Sequence, residues 1–416
     1  MKTYLVGGAV RDRLLDYPVS ERDWLVVGAT AEMMLAQGYK PVGKDFPVFL
    51  HPKTHEEYAL ARTERKTAPG YRGFSVDAGS QVSLEEDLLR RDLTINAMAI
   101  GDDGVLVDPF GGRNDMRDRI LRHVSPAFSE DPVRVLRVAR FAARYAHLGF
   151  KVAEETRNLM QTMVSDGEVN HLVAERVWAE LYKALTEQSP AAFFQVLKEC
   201  GALKVIFPEI DALFGVPQPA KYHPEIDTGV HSLMALTQAA ALSEKPEVRL
   251  AALLHDLGKA LTDPEYWPSH HGHERRGLDI LEQFCRRLRV PKAAKTLCAC
   301  VMEYHTHCHR VFELRADTLT DMLQKLGAFK ADSALQDFLL ACEADARGRT
   351  GFEKVAYPQA EFVKAALQTA LAVDTQSALL GGLQGAQIGA AIRQLRSTAV
   401  NAFKQHYQQT IPLNQA

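Results

Sequence analysis

Four segments in the first third of the chain carry residue types suited to phosphoryl chemistry. Gly7-Gly8-Ala9-Val10-Arg11-Asp12 follows a short strand-like run and opens a helix-like one. Paired glycines let backbone amides approach a phosphate closely, and a helix start adds partial positive charge. Arg11 is then placed to clamp a second phosphate oxygen. Glu21-Arg22-Asp23 precedes the apolar run Trp24-Leu25-Val26-Val27. Residues i and i+2 of a strand share a face, so Glu21 and Asp23 project together and offer hard oxygen ligands to Mg²⁺. Arg90-Arg91-Asp92-Leu93-Thr94-Ile95-Asn96-Ala97 sets two arginines beside an acid and an amide, a group suited to triphosphate and ribose. Asp92 reads either as a ribose contact or as a third metal ligand. Glu130-Asp131-Pro132-Val133-Arg134 runs into Arg137, Arg140 and Arg144, and these four arginines fall within about a third of a helix circumference. From Arg113 to Arg144 there are eight arginines against four acids, a basic stripe with no acidic partner on it.

A second group lies beyond position 220. His231 stands at the start of one helical pattern, and Leu253-Leu254-His255-Asp256-Leu257-Gly258-Lys259 ends another. A His–Asp doublet at a helix end offers an imidazole and a carboxylate to a shared metal. The chain has 15 histidines, and most lie between His223 and His309. Cys298-Ala299-Cys300 near His305, His307, Cys308 and His309 invites a zinc reading. That spacing matches no common zinc framework, and the segment is helical in pattern.

The elements that must position these residues change character along the chain. Up to about residue 110 short β-like runs dominate: Tyr4–Val6, Trp24–Val27, Val48–Leu50, Glu57–Ala61, Ala97–Ile100 and Val105–Val107, with helical spacing over Ala31–Gln37. An α+β domain is expected there. From Asp131 onward the pattern is helical, over Val133–His147, Ala153–Ser165, Ala174–Glu187, Ala191–Cys200 and Val230–Ala241. The proline-rich stretch Val216–Pro224 reads as a stiff linker between two helical bodies. The last 70 or so residues read as helical with a weak break at Gly381-Gly382. The 416 residues suffice for two to four domains. A net charge of −3 excludes a bulk electrostatic drive toward nucleic acid while leaving room for a local basic patch. No apolar run reaches transmembrane length and no signal peptide is expected, so no membrane association is predicted. Six sparse cysteines point to a reducing cytoplasm.

Taken in order, Gly7-Gly8-x-x-Arg11-Asp12, Glu21-x-Asp23, Arg90-Arg91-Asp92-x-Thr94-x-Asn96-Ala97 and Glu130-Asp131-x-x-Arg134 resemble the class II CCA-adding enzymes. These form the tRNA nucleotidyltransferase and poly(A) polymerase group of the DNA polymerase beta superfamily. One departure is Glu21, where the family's pair is Asp-x-Asp; the longer side chain still supplies an oxygen. The resemblance implies an α+β nucleotidyltransferase head over 1–125 and a helical nucleotide-selecting and tRNA-binding neck and body over 126–220. It implies template-independent addition and repair of the 3′-terminal CCA of tRNA from CTP and ATP, with Glu21 and Asp23 as catalytic Mg²⁺ ligands. Gly8, Arg11, Arg91, Arg137 and Arg140 would line the nucleotide site. Asp131 would accept from cytosine N4 or adenine N6, while Arg134 would donate to the ring acceptors. A poly(A) polymerase carries similar motifs, and an RNA-binding HD hydrolase with an inactive nucleotidyltransferase head is the reading from another class.

Residues 228–330 resemble an all-α HD-superfamily phosphohydrolase domain, followed by a helical region over 331–416. That resemblance implies His231, His255 and Asp256 as metal ligands, the last two also catalytic. For the closing aspartate, Asp317 fits the spacing better and Asp345 is second. Mg²⁺, Mn²⁺, Co²⁺ or Ni²⁺ would serve phosphatase, 2′-nucleotidase or 2′,3′-cyclic phosphodiesterase chemistry. The expected partner is the tRNA acceptor end, and no obligate protein partner is evident.

Overall fold

A computed structural model describes residues 1–19, 22–42, 48–66, 74–77, 79–376 and 383–410. Glu21 and the Gly381-Gly382 break lie outside the described residues. The chain divides into two units, Met1–Phe207 and Pro208–Ala416.

In the first unit, Leu25 and Val26 are both buried. Neighbours on a strand face opposite ways, so a strand containing both must be covered on both sides. That strand is β2 (Asp23–Val27), set in a mixed sheet with β1 (Lys2–Val6), β3 (Lys40–Pro41), β4 (Val48–Leu50), β5 (Glu57–Leu60), β8 (Ala99–Gly101) and β9 (Leu106–Val107). The order is β3-β4-β5-β2-β1-β8-β9. β2 runs antiparallel to β1 and parallel to β5. One face packs Val6 and Leu25 on Leu88, Ala97 and Ala99; the other packs Val26 on Met34, Phe49 and Leu60. A separate hairpin joins β6 (Thr63–Lys66) to β7 (Phe74–Asp77).

The helices α1 (Gly8–Leu14), α2 (Ala31–Ala36), α3 (Leu84–Leu89) and α4 (Gly112–Asp118) flank these strands. At the start of α3 the Ser83 hydroxyl accepts from the Glu86 amide while the Glu86 carboxylate accepts from the Ser83 amide, a reciprocal cap. Beyond them the unit is helical. α5 (Val133–Tyr145) buries Val135, Leu136, Val138 and Ala139 against α7 (Ala174–Thr186) and α8 (Ala191–Glu199). α6 (Glu154–Ser165) and α9 (Ala202–Ile206) complete the body, and a short parallel pair, β10 (Ile120–Leu121) and β11 (Lys151–Val152), ties α4 to α6.

The second unit contains α10 (Pro208–Asp211), α11 (Thr228–Leu242), α12 (Pro246–Leu254), α13 (His273–Leu288), α14 (Lys292–His309), α15 (Ala316–Lys325), α16 (Leu335–Arg347), α17 (Pro358–Leu371) and α18 (Ala386–Thr410). α11 packs on α12 and α16, and α14 packs on α12, α13 and α16; α15 and α17 pack on α18. The stretch Val216–Pro224 is no free linker. It lies inside this unit, where Pro217 bridges Asp227, the Thr228 hydroxyl donates to Val216 O at 2.8 Å, and Gln218 is buried. Its prolines stiffen a segment that is itself packed. Among the described residues no helix is long and apolar enough to cross a membrane.

Candidate functional site

The first unit holds a cleft of about 1340 Å³ between the sheet and α5, lined by Gly7, Gly8, Arg11, Asp23, Arg91, Asp131, Arg134, Arg137 and Arg140 among others. Gly7, with φ +66°, caps α1 in a conformation that side chains disfavour. A Cβ there would stand 2.9 Å from Arg91 Nη1. Asp23 opens β2 on the cleft wall, and Glu57 sits in register beside it on β5 and lines the same cleft. Strand neighbours in register share a face, so a second carboxylate accompanies Asp23 from a segment that sequence alone did not connect to it.

The cationic side chains are held by acids from other elements. Arg11 donates through Nε to Asp12 Oδ1 at 2.9 Å and through Nη1 to Asn96 Oδ1, with its guanidinium 5.0 Å from the Phe141 ring centre. Asp12 in turn accepts from Tyr145 and Arg144, at 2.8 and 3.0 Å. Arg90 and Arg91 both pair with Asp87, at 2.9 and 3.2 Å. Burial raises the Asp87 pKa, but the two guanidiniums outweigh it and hold the carboxyl below its ordinary range. Arg137 Nε donates to Asp92 Oδ2 at 2.6 Å, and Arg140 Nε to Glu180 Oε2 at 2.6 Å. Three arginines of the stripe, Arg137, Arg140 and Arg144, are therefore charge-compensated, against the expectation from its own segment: the partners Asp12, Asp92, Glu180 and Glu187 come from outside it. Asp92 also accepts from the Leu93 amide and the Asn96 side chain, so its carboxylate positions Arg137.

At the rim, Asp131 Oδ1 accepts from the Val133 amide at 3.0 Å. Arg176 of α7 donates to both Asp131 oxygens, at 3.2 and 2.9 Å. Arg134 Nη1 and Nη2 donate to Ala127 O and Arg90 O at 2.8 and 2.6 Å. Asp87 was legible as a helical i+3/i+4 partner of Arg90 and Arg91. Glu180 and Arg176 had no such local signal.

The second unit brings a different set together. His231, at the start of α11, is fully buried, with Nε2 3.0 Å from Asp345 Oδ1. His255 and Asp256 follow the end of α12; His255 Nε2 lies 3.0 Å from Asp256 Oδ2 and 3.4 Å from Asp345 Oδ1. Asp345, on α16, takes the place considered for Asp317. The Asp317 carboxylate instead accepts from Ser397 of α18, because α15 packs there rather than on α11 or α12. Gly258 admits the start of α13, since a Cβ would fall 1.9 Å from His273 O. His273 Nε2 thereby reaches 3.2 Å from Asp256 Oδ1, with His305 of α14 at 3.7 Å from the same atom.

The imidazoles share one orientation. Nδ1 of His231, His255, His273 and His305 faces the backbone oxygens of Gly348, Ala252, His270 and Val301 at 2.8–3.0 Å. A carbonyl can only accept, so each Nδ1 carries a proton and each Nε2 is turned inward, the orientation of metal-ligating histidines. Asp256 Oδ1 is buried and, among the described residues, accepts no hydrogen bond of good geometry. Burial lowers the His255 pKa, yet the carboxylates of Asp256 and Asp345 push it up to about 10, so the centre favours a cation. Three triads of ligand atoms include Asp256 or Asp345: His231-His255-Asp256, His255-His305-Asp345 and Asp256-His273-His305. A divalent ion fits this donor set. Cys298 and Cys300 belong to none of the ligand groups found among the described residues.

Family models match in three places. A poly A polymerase head domain covers residues 3–122, a probable RNA and SrmB- binding site of polymerase A covers 149–214, and an HD domain covers 228–325. The multifunctional CCA protein of Methylococcus capsulatus is 63% identical over 405 residues, covering 97% of this chain and 95% of that one. That of Thioalkalivibrio sulfidiphilus is 62% identical, covering 97% and 99%. The fold is also that of a CCA-adding enzyme in its apo form II (TM-score 0.65, 20% identity, 96% and 88% covered). It matches the Bacillus stearothermophilus CCA-adding enzyme in complex with CTP as well (TM-score 0.62, 23% identity, 98% and 93% covered). The chain belongs to the family of multifunctional CCA proteins.

Proposed function

We propose that the chain adds and repairs the 3′-terminal CCA of tRNA from CTP and ATP without a nucleic-acid template, and that its second unit is a metal-dependent phosphohydrolase. The observation that carries the first part is the convergence of Gly8, Arg11, Arg91, Arg137, Arg140 and the acceptor Asp131 on one cleft. The arginines, fixed by buried acids, bind and orient the triphosphate with little further ordering. Asp131 accepts from the exocyclic amine of cytosine or adenine and opposes the carbonyl of uracil or guanine. Arg134 reads ring acceptors by exchanging its bonds to Ala127 O and Arg90 O. Asp23, with Glu21, would hold Mg²⁺. The acceptor end of tRNA is the polynucleotide substrate, recognised through its backbone and shape.

In the second unit His231, His255, Asp256 and Asp345 would hold a divalent ion, Mg²⁺ or one of Ni²⁺, Mn²⁺ and Co²⁺, and Asp256 Oδ1 with His273 and His305 offers places for another. Bound at either site, a divalent ion supplies Lewis-acid stabilisation of phosphoryl oxygens and an activated hydroxyl or water. Lys259 donates to Asp256 Oδ2 at 2.6 Å, faces the pocket of about 1070 Å³, and can hold a phosphate. The substrates we propose are phosphate monoesters, 2′-nucleotides and 2′,3′-cyclic phosphates. The six cysteines form no disulfide, in keeping with action in the cytoplasm. Incubating 3′-trimmed tRNA with labelled CTP and ATP, or ATP alone, tests the first activity. Ordered C, C, A incorporation supports it, and a poly(A) tail from ATP alone overturns it.

A further inference from the structure

The acceptor proposed to read the base is itself held in place. Asp131 precedes Pro132, which restrains its backbone to the extended region, at φ −117° and ψ 106°. Its side chain is fixed separately. A carboxylate has about four lone-pair sites, and three are taken. The Val133 amide (3.0 Å) and Arg176 Nη1 (3.2 Å) occupy Oδ1, and Arg176 Nη2 (2.9 Å) occupies one site of Oδ2. Among the described residues Oδ2 accepts from no other donor. Arg176 comes from α7, 45 residues further along the chain, and both residues line the cleft.

We infer that Arg176 is a specificity-determining positioning residue, which clamps the Asp131 carboxylate so that a single acceptor site on Oδ2 faces the incoming base. This inference rests on the reading of Asp131 as the base-reading acceptor. Cytosine and adenine each present one amine hydrogen on the pairing edge, which matches one open acceptor site. A carboxylate free to rotate could turn from the O4 of uracil or the O6 of guanine and let water bridge the gap. A carboxylate gripped by a planar two-pronged guanidinium cannot, so the wrong base meets acceptor against acceptor. Lysine supplies charge from one point and does not fix the carboxylate plane. Arg176 thus acts on the choice among nucleotides more than on triphosphate binding.

The experiment measures kcat/KM for CTP, UTP, ATP and GTP on 3′-trimmed tRNA with the full chain. Wild type is compared with Arg176→Lys, Arg176→Gln, Arg176→Ala, Asp131→Ala and the Asp131→Ala/Arg176→Ala double variant. The expected result is a fall of about tenfold or more in the CTP/UTP and ATP/GTP ratios of Arg176→Ala, roughly 1.4 kcal/mol. Arg176→Lys should be intermediate, and the double variant no less selective than Asp131→Ala. If Arg176→Ala melts early, the lysine and glutamine variants, which keep the packed stem, report the same ratios. An equal fall for all four nucleotides, ratios unchanged, overturns the inference, since a merely structural role does that. If Asp131→Ala loses selectivity while the Arg176 variants keep it, only the clamp is refuted. If Asp131→Ala keeps selectivity, the reading of Asp131 fails and takes the clamp with it.

Discussion

Asp345 Oδ1 lies 3.0 Å from Nε2 of His231, a residue 114 positions earlier in the chain. The same oxygen is 3.4 Å from His255 Nε2, and the other oxygen accepts from His309 Nε2 at 2.7 Å. Asp345 is therefore the second carboxylate, beside Asp256, that meets the Nε2 atoms of His231 and His255. Asp345→Ala should lower metal affinity and phosphohydrolase activity by more than the 10–100-fold typical of an outer-sphere partner. Asp317→Ala should leave both intact, because that carboxylate serves only the packing of α15 on α18. Metal titration by calorimetry with both variants checks this, and the opposite ranking would exclude Asp345 as a ligand.

The residues of the nucleotide cleft all lie between Val6 and Glu187, whereas those of the histidine pocket lie between Pro219 and Gln359. No side chain is shared. The double variant His255→Ala/Asp256→Ala should thus lose phosphate hydrolysis while retaining CTP and ATP incorporation. Both rates are measured on one preparation whose circular dichroism shows it folded. Loss of both activities together in folded protein contradicts the division of labour.

Some of this was legible in the residues and some was not. Each of the six β-like runs overlaps a strand, though the run at Ala97–Ile100 enters its strand only at Ala99, because each alternates or masses apolar side chains over a few residues, a signal that needs no partner. The His255-Asp256 doublet was legible for the same reason: it is contiguous and ends a helix. Spacing ranked Asp317 ahead of Asp345, but what decides between them is which of α15 and α16 packs on α11, and that is tertiary. The arginines of α5 looked unpaired for a related reason. The partners Asp12, Asp92, Glu180 and Glu187 of Arg137, Arg140 and Arg144 are brought in by the fold, and only a three-dimensional arrangement shows these three arginines to be charge-compensated.

On the reading we propose, Asp131 meets the base with an acceptor, so its removal should loosen selection rather than abolish synthesis. Asp131→Ala is expected to raise UTP and GTP incorporation relative to CTP and ATP by on the order of 10- to 100-fold, the range over which unpaired buried polar groups reject a wrong ligand. Single-turnover incorporation with each nucleotide measures the ratios. Identical CTP/UTP discrimination in variant and wild type would remove the residue from base selection.

Acid stability should report on Asp92. Burial raises its pKa, but Arg137 at 2.6 Å, the Asn96 amide and Arg134 more than reverse this, and the folded carboxyl stays ionised well below its ordinary range. The unfolded chain takes up its proton near pH 4. Above that pH both states are ionised there and the stabilisation is fully present; as pH falls below it, the unfolded state gains a proton the folded state refuses, and stability drops. The loss should reach about 2–3 kcal/mol, the size typical of one strongly depressed carboxylate. Asp92→Asn should be less stable at neutral pH, with Arg137 left without its carboxylate, and should show a shallower decline below pH 5. Urea midpoints from pH 7 to pH 3 make the comparison, and parallel curves for the two proteins would show that the acid sensitivity resides in other carboxylates such as Asp87.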